Sequence, residues 1–358
     1  MKKVMVAMSG RVDSSAALVI LKDRYEVIGV TLKLHDGELD GVGMKTCCSL
    51  RDIDDAREVA SRFDIMHYVY NMKDLFREKV IDSFISFYER GLTPNPCIDC
   101  NKFIKFEALL DRAVSLGCDY IATGHYARSE YDEERGRWLL KKAISDDGSN
   151  DKDQSYMLCD LTQYQLSHTL FPLGSMKKRD VRAFAEKNGL VNAHKSDSQD
   201  ICFIPDRDYV SFIRGETGKN YPEGDVKDSS GKVLGRHNGL INYTIGQRKG
   251  LGIAFGKPVY VIGKDLAENT LIVGDEDELM RRVLTAFDLN WIAFERPEKP
   301  FSCSAKIRYR MPEQPCTVYP CEDGKVRVEF DEPQRAVTPG QRVVFYDGDI
   351  VIGGGIIE

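Results

Sequence analysis

The chain reads as an α/β domain on a parallel sheet, then a small central module, then a C-terminal antiparallel β-barrel or sandwich. Three observations predict this. Over residues 1–205, apolar β-branched runs alternate with stretches of helical spacing, the pattern of a parallel sheet covered on both faces. Over 206–280 glycines crowd between short strand-like pieces, as in "GETGKNYPEGDVKDSSGKVLG". Over 281–358, in "KIRYR", "CTVYP", "KVRVEF" and "QRVVFYDGDIVIGGGII", apolar and polar residues alternate at period two between Gly, Pro and Asp turns.

Each element of the first domain has its own signal. "KVMVAM" is a strand ending at Ser9-Gly10, "DSSAALVILKDR" a helix and "EVIGVTLKL" a second strand. "DIDDAREVASRF" carries acidic residues in its first turn, which suits the positive end of a helix dipole. "IMHYVYN" is a strand, and "DLFREKVIDSFISFYERG" an amphipathic helix closed by Gly91. "KFIKFEALLDRAVSLG" is a helix closed by Gly117, and "DYIATGH" a further strand. Ligands of such sheets sit at the carboxyl ends of the strands.

The bulk numbers exclude several classes. A composition 42% hydrophobic and 30% charged is globular rather than disordered. No apolar run approaches the roughly 20 residues of a membrane span, and "MKKVMVAMSG" is a first strand rather than a leader, so the expectation is a cytoplasmic protein with no membrane partner. Ten cysteines in 358 residues are too sparse for a disulfide scaffold, and Cys118 reads as core. A net charge of −6 argues against nonspecific nucleic-acid binding by the whole molecule. It leaves room for a local basic face, with "MKKRDVR" (176–182) and "KIRYR" (306–310) as candidates against the plainer reading of solvated surface.

Two strings carry chemistry. Ser9-Gly10-Arg11-Val12-Asp13-Ser14-Ser15 joins an apolar strand to a helix N-terminus, where backbone amides and the helix dipole bind anions and Asp13 could contact Mg2+. It lacks the Gly-Lys-Ser/Thr of a Walker loop, and a plain strand–turn–helix joint is the alternative. Asn95-Pro96-Cys97-Ile98-Asp99-Cys100-Asn101 holds a Cys-x-x-Cys pair: half a zinc site, a redox couple, part of an iron–sulfur site, or a nucleophile with its neighbour. Structural zinc wants two such pairs, and the chain has no second one. His125 reads as a nucleotide-site or core histidine, and His67 and His168 as structural.

"SGRVDSS" resembles the Ser-Gly-Gly-x-Asp-Ser loop of the PP-loop ATP pyrophosphatases. "TPNPCIDCNKFIKF", "DYIATGHYAR", "KDQSYML", "SDSQDICFIP", "YTIGQRKGLGI", "KIRYR" and "AVTPGQRVVFYDGDIVIGGGII", in order from residue 3 to the C-terminus, resemble the bacterial tRNA-specific 2-thiouridylases. The resemblance implies an adenine nucleotide alpha hydrolase-like, Rossmann-like first domain and a tRNA-contacting C-terminal barrel. It implies an ATP-dependent sulfurtransferase that adenylates the C2 oxygen of the wobble uridine, position 34, in tRNAs of the Glu, Gln and Lys type. Sulfur from a cysteine persulfide then displaces AMP. The expected partners are tRNA and a sulfur-donor relay protein or cysteine desulfurase; the expected cofactors are ATP and Mg2+.

Carried over residue by residue, Ala7, Met8, Ser9, Gly10, Arg11, Val12, Asp13 and Ser14 would hold the ATP phosphates, Leu32 the adenine, and Gly124 the nucleotide. Asn95, Pro96 and Cys97 would meet the target base, Cys100 would be the nucleophile, and Cys202 would carry the persulfide. Lys152, Asp153, Gln154, Arg308 and Tyr309 match tRNA-contacting segments. Two positions depart from the family's pattern: Arg11 replaces a glycine that gives the loop close approach and unusual φ/ψ, and Cys97 stands where many relatives have aspartate. Two readings of the cysteines remain: persulfide chemistry at Cys100 and Cys202 with Cys97 a bystander, or an iron–sulfur cluster held by Cys97, Cys100 and Cys202. The rival functions are adenylation of a small metabolite, and a non-catalytic tRNA-binding or sulfur-carrier protein whose loop has lapsed at Arg11.

Overall fold

The computed structural model describes residues 1–35, 50–144, 152–195, 200–204, 206–253 and 256–358. The first part runs β1 (Lys3–Ala7), α1 (Val12–Leu21), β2 (Glu26–Lys33), α2 (Leu50–Arg62), β3 (His67–Asn71), α3 (residues 73–89), α4 (residues 96–115) and β4 (Tyr120–Ala122). It continues through a hairpin, β5 (Ala127–Asp132) and β6 (Arg137–Lys142), then α5 (Gln163–Ser167), β7 (Thr169–Leu170) and α6 (Lys178–Lys187). The sheet has the order β3-β2-β1-β4-β7 with every pairing parallel, as the alternation of strands and helices predicts. Side chains alternate across β1: Val4, Val6 and Met8 enter one apolar cluster and Met5 the other.

One helix starts earlier than its periodicity suggests. Pro96 occupies the first turn of α4, where its missing amide costs no hydrogen bond, and Asn95 precedes it. Cys97 and Cys100 therefore lie three apart on a helix rather than on a loop before one, and the helix widens into π turns from Cys100 to Ala108.

The remainder comprises α7 (Tyr209–Thr217), β8 (Gly224–Asp228), β9 (Val233–His237), β10 (Tyr260–Asp265) and β11 (Thr270–Gly274), then β12 (Met280–Trp291), β13 (Phe301–Lys306), β14 (Gln314–Pro320), β15 (Val326–Arg335), β16 (Arg342–Asp347) and β17 (Ile350–Ile357). β8 to β11 form a four-stranded sheet in the order β10-β11-β8-β9. β12 to β17 pair antiparallel in the order β12-β15-β14-β13-β16-β17, and β12 closes on β17. Of the barrel and sandwich alternatives the closed barrel is the one formed, with β12 to β17 paired all the way round. The β5–β6 hairpin, absent from the element-by-element reading, joins this barrel through Lys141 opposite Ile350. Among the described residues no helix is long and apolar enough to cross a membrane.

The barrel and the α/β domain share one core. Ile292, Val344, Tyr346 and Val351 of the barrel are buried in the same cluster as Leu32, Phe84, Cys100 and Ile104. Arg342 reaches across this junction to Asp160 at 2.6 Å, both side chains almost fully buried. Removing either partner would leave the other with only a longer contact, Lys102 at 3.6 Å from Asp160 or Asp99 at 4.0 Å from Arg342, at a cost of up to about 3–5 kcal/mol.

His67 illustrates the packing on the other side of the sheet. The Thr31 hydroxyl donates to Met8 O at 2.9 Å, so its contact with His67 Nε2, also 2.9 Å, makes that nitrogen the donor. Nδ1 is then an acceptor, buried without a partner. Protonation would place an unbonded N–H there, and burial accordingly holds the His67 pKa down at about 4 instead of 6.5, helped by Arg57. Between those values the unfolded chain binds a proton that the folded chain refuses, so stability is lost as pH falls from 6.5 to about 4. His67→Gln, which keeps a donor to Thr31, should show a shallower drop in melting midpoint across that window than wild type; parallel drops would contradict a neutral buried ring.

Candidate active site

The turn from β1 into α1 is shaped by Gly10. Its φ is +67°, and a Cβ there would stand 2.1 Å from the Asp52 carbonyl oxygen, so only glycine fits. Arg11, by contrast, is the residue preceding α1 with φ −112° and ψ 164°, extended backbone open to any side chain. Its side chain is 8% exposed, folded into the protein. The unusual φ/ψ expected of the glycine at this position is therefore not required here. Ser14 Oγ donates to Arg11 O at 3.0 Å and accepts from Ser9 N at 3.1 Å, closing the loop on the first turn of α1. The first-turn amides of such a helix have no intrahelical partner and face the loop's mouth.

A cation that the sequence reading left on the surface belongs to this loop. Lys178, in the first turn of α6, donates to both carboxylate oxygens of Asp13 at 2.7 Å, and the Tyr126 hydroxyl donates to Asp13 Oδ1 at 2.8 Å. Within "MKKRDVR", Lys178 is buried while Arg179 is exposed. Asp13, expected to contact Mg2+, thus has both oxygens engaged by protein donors. Lys195 adds a second tie, from Nζ to Gly10 O at 3.3 Å and to Asp52 and Asp55 at 2.5 Å each. Asn192 Nδ2 donates to Ser15 Oγ at 2.9 Å. Gly124 lies directly against the Asp13–Ser14 backbone. His125 packs against Phe106 and Phe171 with Nδ1 2.8 Å from Thr123 Oγ1, and desolvation holds its pKa well below the usual value: it is a packed histidine.

On α4, Cys97 is exposed and Cys100 buried. Cys202 is half-buried and packs on the apolar cluster that contains Cys100 and Leu32. Phe203, next to it, anchors the segment edge-on against Phe76 and Phe84 at 5.7 and 5.4 Å. Asn101 Nδ2 donates to Met157 O at 2.8 Å and its Oδ1 accepts from Lys105 at 2.9 Å, fixing the helix beside the Ser155–Leu158 turn. Burial pushes Asp99 up to about 6, opposed by the Arg342 guanidinium 4.0 Å away. Among the described residues no group of three or more His, Cys, Asp or Glu side chains is placed to hold a metal ion.

The residues matched to tRNA-contacting segments sit at domain junctions. Gln154 pairs with Tyr126 through its backbone N–H at 2.8 Å and its Oε1 at 2.9 Å. Asp153 accepts from the amides of Ala143 and Ser155, both at 3.1 Å, and Lys152 is exposed. The Tyr309 hydroxyl donates to Asp153 O at 3.1 Å. Arg308 reaches Ile245 O, Ala336 O and Thr338 Oγ1, joining the central module to the barrel, and within 306–310 only Arg310 is exposed.

A parallel sheet whose first strand turns through Gly10 into α1, joined to two β modules, defines a Rossmann-like α/β protein with appended β domains. Three family models match in sequence: a tRNA methyl transferase HUP domain over 2–206, a tRNA methyl transferase PRC-barrel domain over 210–275, and an aminomethyltransferase beta-barrel domain over 281–357. A tRNA-specific 2-thiouridylase of Acetivibrio thermocellus is 53% identical over 360 residues, covering 100% of this chain and 99% of the relative. A tRNA-specific 2-thiouridylase of Clostridioides difficile is 50% identical over 359 residues, covering 100% and 98%. The chain belongs to this family of three-part proteins. Among solved structures, a U34-tRNA thiolase of Methanococcus maripaludis with its [4Fe-4S] cluster is similar over 62% of this chain and 67% of that one, at 22% identity and a TM-score of 0.34.

The loop geometry separates two substitutions. Gly10→Ala should lower stability by about 1–2 kcal/mol from the left-handed backbone alone, and by more once the overlap with Asp52 is added. Arg11→Gly should leave the loop's backbone in place. Melting curves of both variants check this, and an unaffected Gly10→Ala would contradict the geometry.

Proposed function

We propose that the chain is an ATP-dependent tRNA sulfurtransferase that converts the wobble uridine of tRNA to 2-thiouridine. Relatives that share half of its residues over full length carry that activity in their names. One observation supports the chemistry above all: Cys202 packs against the same apolar cluster that contains Cys100 on α4 and Leu32 at the end of β2. A methyl transfer, the activity named in the family descriptions, would leave both the loop and the paired cysteines idle.

The reaction splits one hard displacement into two easier ones. The C2 oxygen of uridine 34 attacks the α-phosphorus of ATP, pyrophosphate leaves, and the oxygen becomes part of an AMP leaving group. Ser9, Gly10 and the first turn of α1 receive the phosphates. Lys178, shared with Asp13, supplies the cation that a Walker lysine would, and Mg2+, when bound, would neutralise further phosphate charge there. The terminal sulfur of a persulfide on Cys202 then attacks C2 and AMP departs, leaving C2 joined to Cys202 through two sulfurs. The Cys100 thiolate attacks the Cys202 sulfur, the S–S bond breaks toward the base, and 2-thiouridine leaves with a Cys100–Cys202 disulfide behind. A thiol reductant and a sulfur-donor protein reset the pair. Asn95, Pro96 and Cys97 line the approach of the base. Lys152, Asp153, Gln154, Arg308 and Tyr309 shape the surface on which the tRNA lies.

We take the persulfide route, with a cluster on Cys97, Cys100 and Cys202 as its alternative. Cys100→Ser and Cys202→Ser should each reduce 2-thiouridine formation on unmodified tRNA by about three orders of magnitude or more, with tRNA affinity nearly intact. Cys97→Ser should be mild. Full thiolation by either of the first two variants would sink the assignment. So would stoichiometric iron in anaerobically purified protein that disappears, along with activity, in Cys97→Ser. Lys178→Met should lower kcat/KM for ATP by about 100-fold, read as tRNA-dependent pyrophosphate release; unchanged release would remove Lys178 from the phosphate site.

A further inference from the structure

Two thiols face each other in the barrel, on strands that carry none of the cysteines assigned to sulfur transfer. Cys303 on β13 and Cys316 on β14 are direct partners in the antiparallel register, between the pairs Phe301–Val318 and Ala305–Gln314 on the same face. Their Sγ atoms stand 3.6 Å apart, one S–H donating to the other sulfur. Direct opposition on antiparallel strands puts Cα atoms about 4.5 or 5.5 Å apart, inside the roughly 4.4–6.8 Å that a disulfide spans. The backbone is therefore placed for a bond, and rotation of two short side chains can bring the sulfurs to about 2.05 Å. The two differ in access: Cys316 is buried within the barrel's apolar cluster, whereas Cys303 is half-buried at its margin. The hydrogen bond with Cys316, and then burial, raise the Cys303 thiol well above its ordinary range, so it rests protonated at neutral pH. Between the two strands run residues 307–313. There Arg308 reaches Ile245 O in the central module and the Tyr309 hydroxyl donates to Asp153 O in the first domain. The two thiols thus sit at the base of a loop that touches all three parts of the chain.

The geometry points to Cys303 and Cys316 as a reversible thiol–disulfide site, oxidised by a small disulfide and acting as a staple across the base of that loop. Cys303, as thiolate, attacks one sulfur of the small disulfide; that S–S bond breaks and the first small thiol leaves, taking up the proton Cys303 lost. Cys316 then attacks the Cys303 sulfur of the mixed disulfide, and the second small thiol leaves with the proton of Cys316. Two protein thiols are oxidised to one disulfide, and one small disulfide is reduced to two thiols. Excess small thiol runs both steps backward. The bond closes a ring over residues 304–315, which removes freedom from the unfolded chain while the folded strands keep their register. Its effect is on stability: the oxidised barrel resists unfolding at the place where the three parts meet.

The test uses the full chain in glutathione buffers of rising disulfide-to-thiol ratio, with acid quenching, alkylation of the remaining thiols in denaturant, and peptide mapping without reduction. A peptide linked through Cys303 and Cys316 should form in folded protein and disappear on return to dithiothreitol. Cys118 and Cys159, buried in the cluster shared with the α/β domain, should stay alkylated as thiols. A second arm reads stability in Cys202→Ser protein, which cannot form a disulfide between Cys100 and Cys202. There oxidation should raise the melting midpoint by about 5 °C, and adding Cys303→Ser should abolish the rise. A glutathione adduct on Cys303 that never passes to Cys316 would overturn the proposal, as would a linked peptide found only after denaturation. A linked peptide with an unshifted midpoint would overturn the staple. Should the Cys303→Ser chain fail to fold, mapping of the wild-type protein still decides the site.

Discussion

Burial of one continuous apolar surface between the α/β domain and the barrel is the constraint on which the site depends. Tyr346 and Val344 on β16 and Val351 on β17 lie in the same cluster as Ile104 and Cys100 on α4. Because the driving force is proportional to area and has no direction, it brings the two bodies together without fixing their register. The directional contacts do that: Arg342 with Asp160, Asn290 Nδ2 on the carbonyls of Cys159 and Leu161, and the Tyr156 hydroxyl on Arg342 O. A cysteine on α4 is thus placed by two domains at once.

The same division governs the phosphate loop. A helix N-terminus attracts any anion, and its partial charge falls off within the first turn. What distinguishes this loop is a buried ammonium held by a carboxylate of that same turn, with a phenol completing the carboxylate's shell. The arrangement fixes an ammonium beside the loop, within a neutral ion pair, without a lysine in the loop sequence.

How much of this was legible depended on the range of the interactions. The parallel sheet showed in the sequence because its central strands are apolar on both faces, as "KVMVA" is, and such runs need no distant partner to be recognised. The barrel showed through its period of two. Lys178 did not, because a basic run looks like solvated surface until Asp13, 165 positions away, is brought against it. The β5–β6 hairpin was missed for a similar reason: "ARSEYDEERGRWLLKK" is half polar, and its partner strand is the last in the chain. The start of α4 was legible in principle, since Asn-Pro is a helix-entry signal, yet the sequence reading begins this helix only at Lys102. Arg11 shows the reverse error: a pattern of glycines suggested a demand on φ that the backbone at this position does not make.

The closure of β17 on β12 and its pairing with the hairpin have a consequence for synthesis. β17 is made after the whole α/β domain and after β12, so the N-terminal half emerges with the β5–β6 edge and part of its apolar cluster uncovered until that strand is available. Vectorial folding of the α/β domain can complete its sheet early but not its cysteine-bearing face. A chain that stops short of β17 lacks its barrel closure and, with it, the surface that packs on that face. Translation through β17 therefore acts as a built-in check on whether a molecule becomes competent.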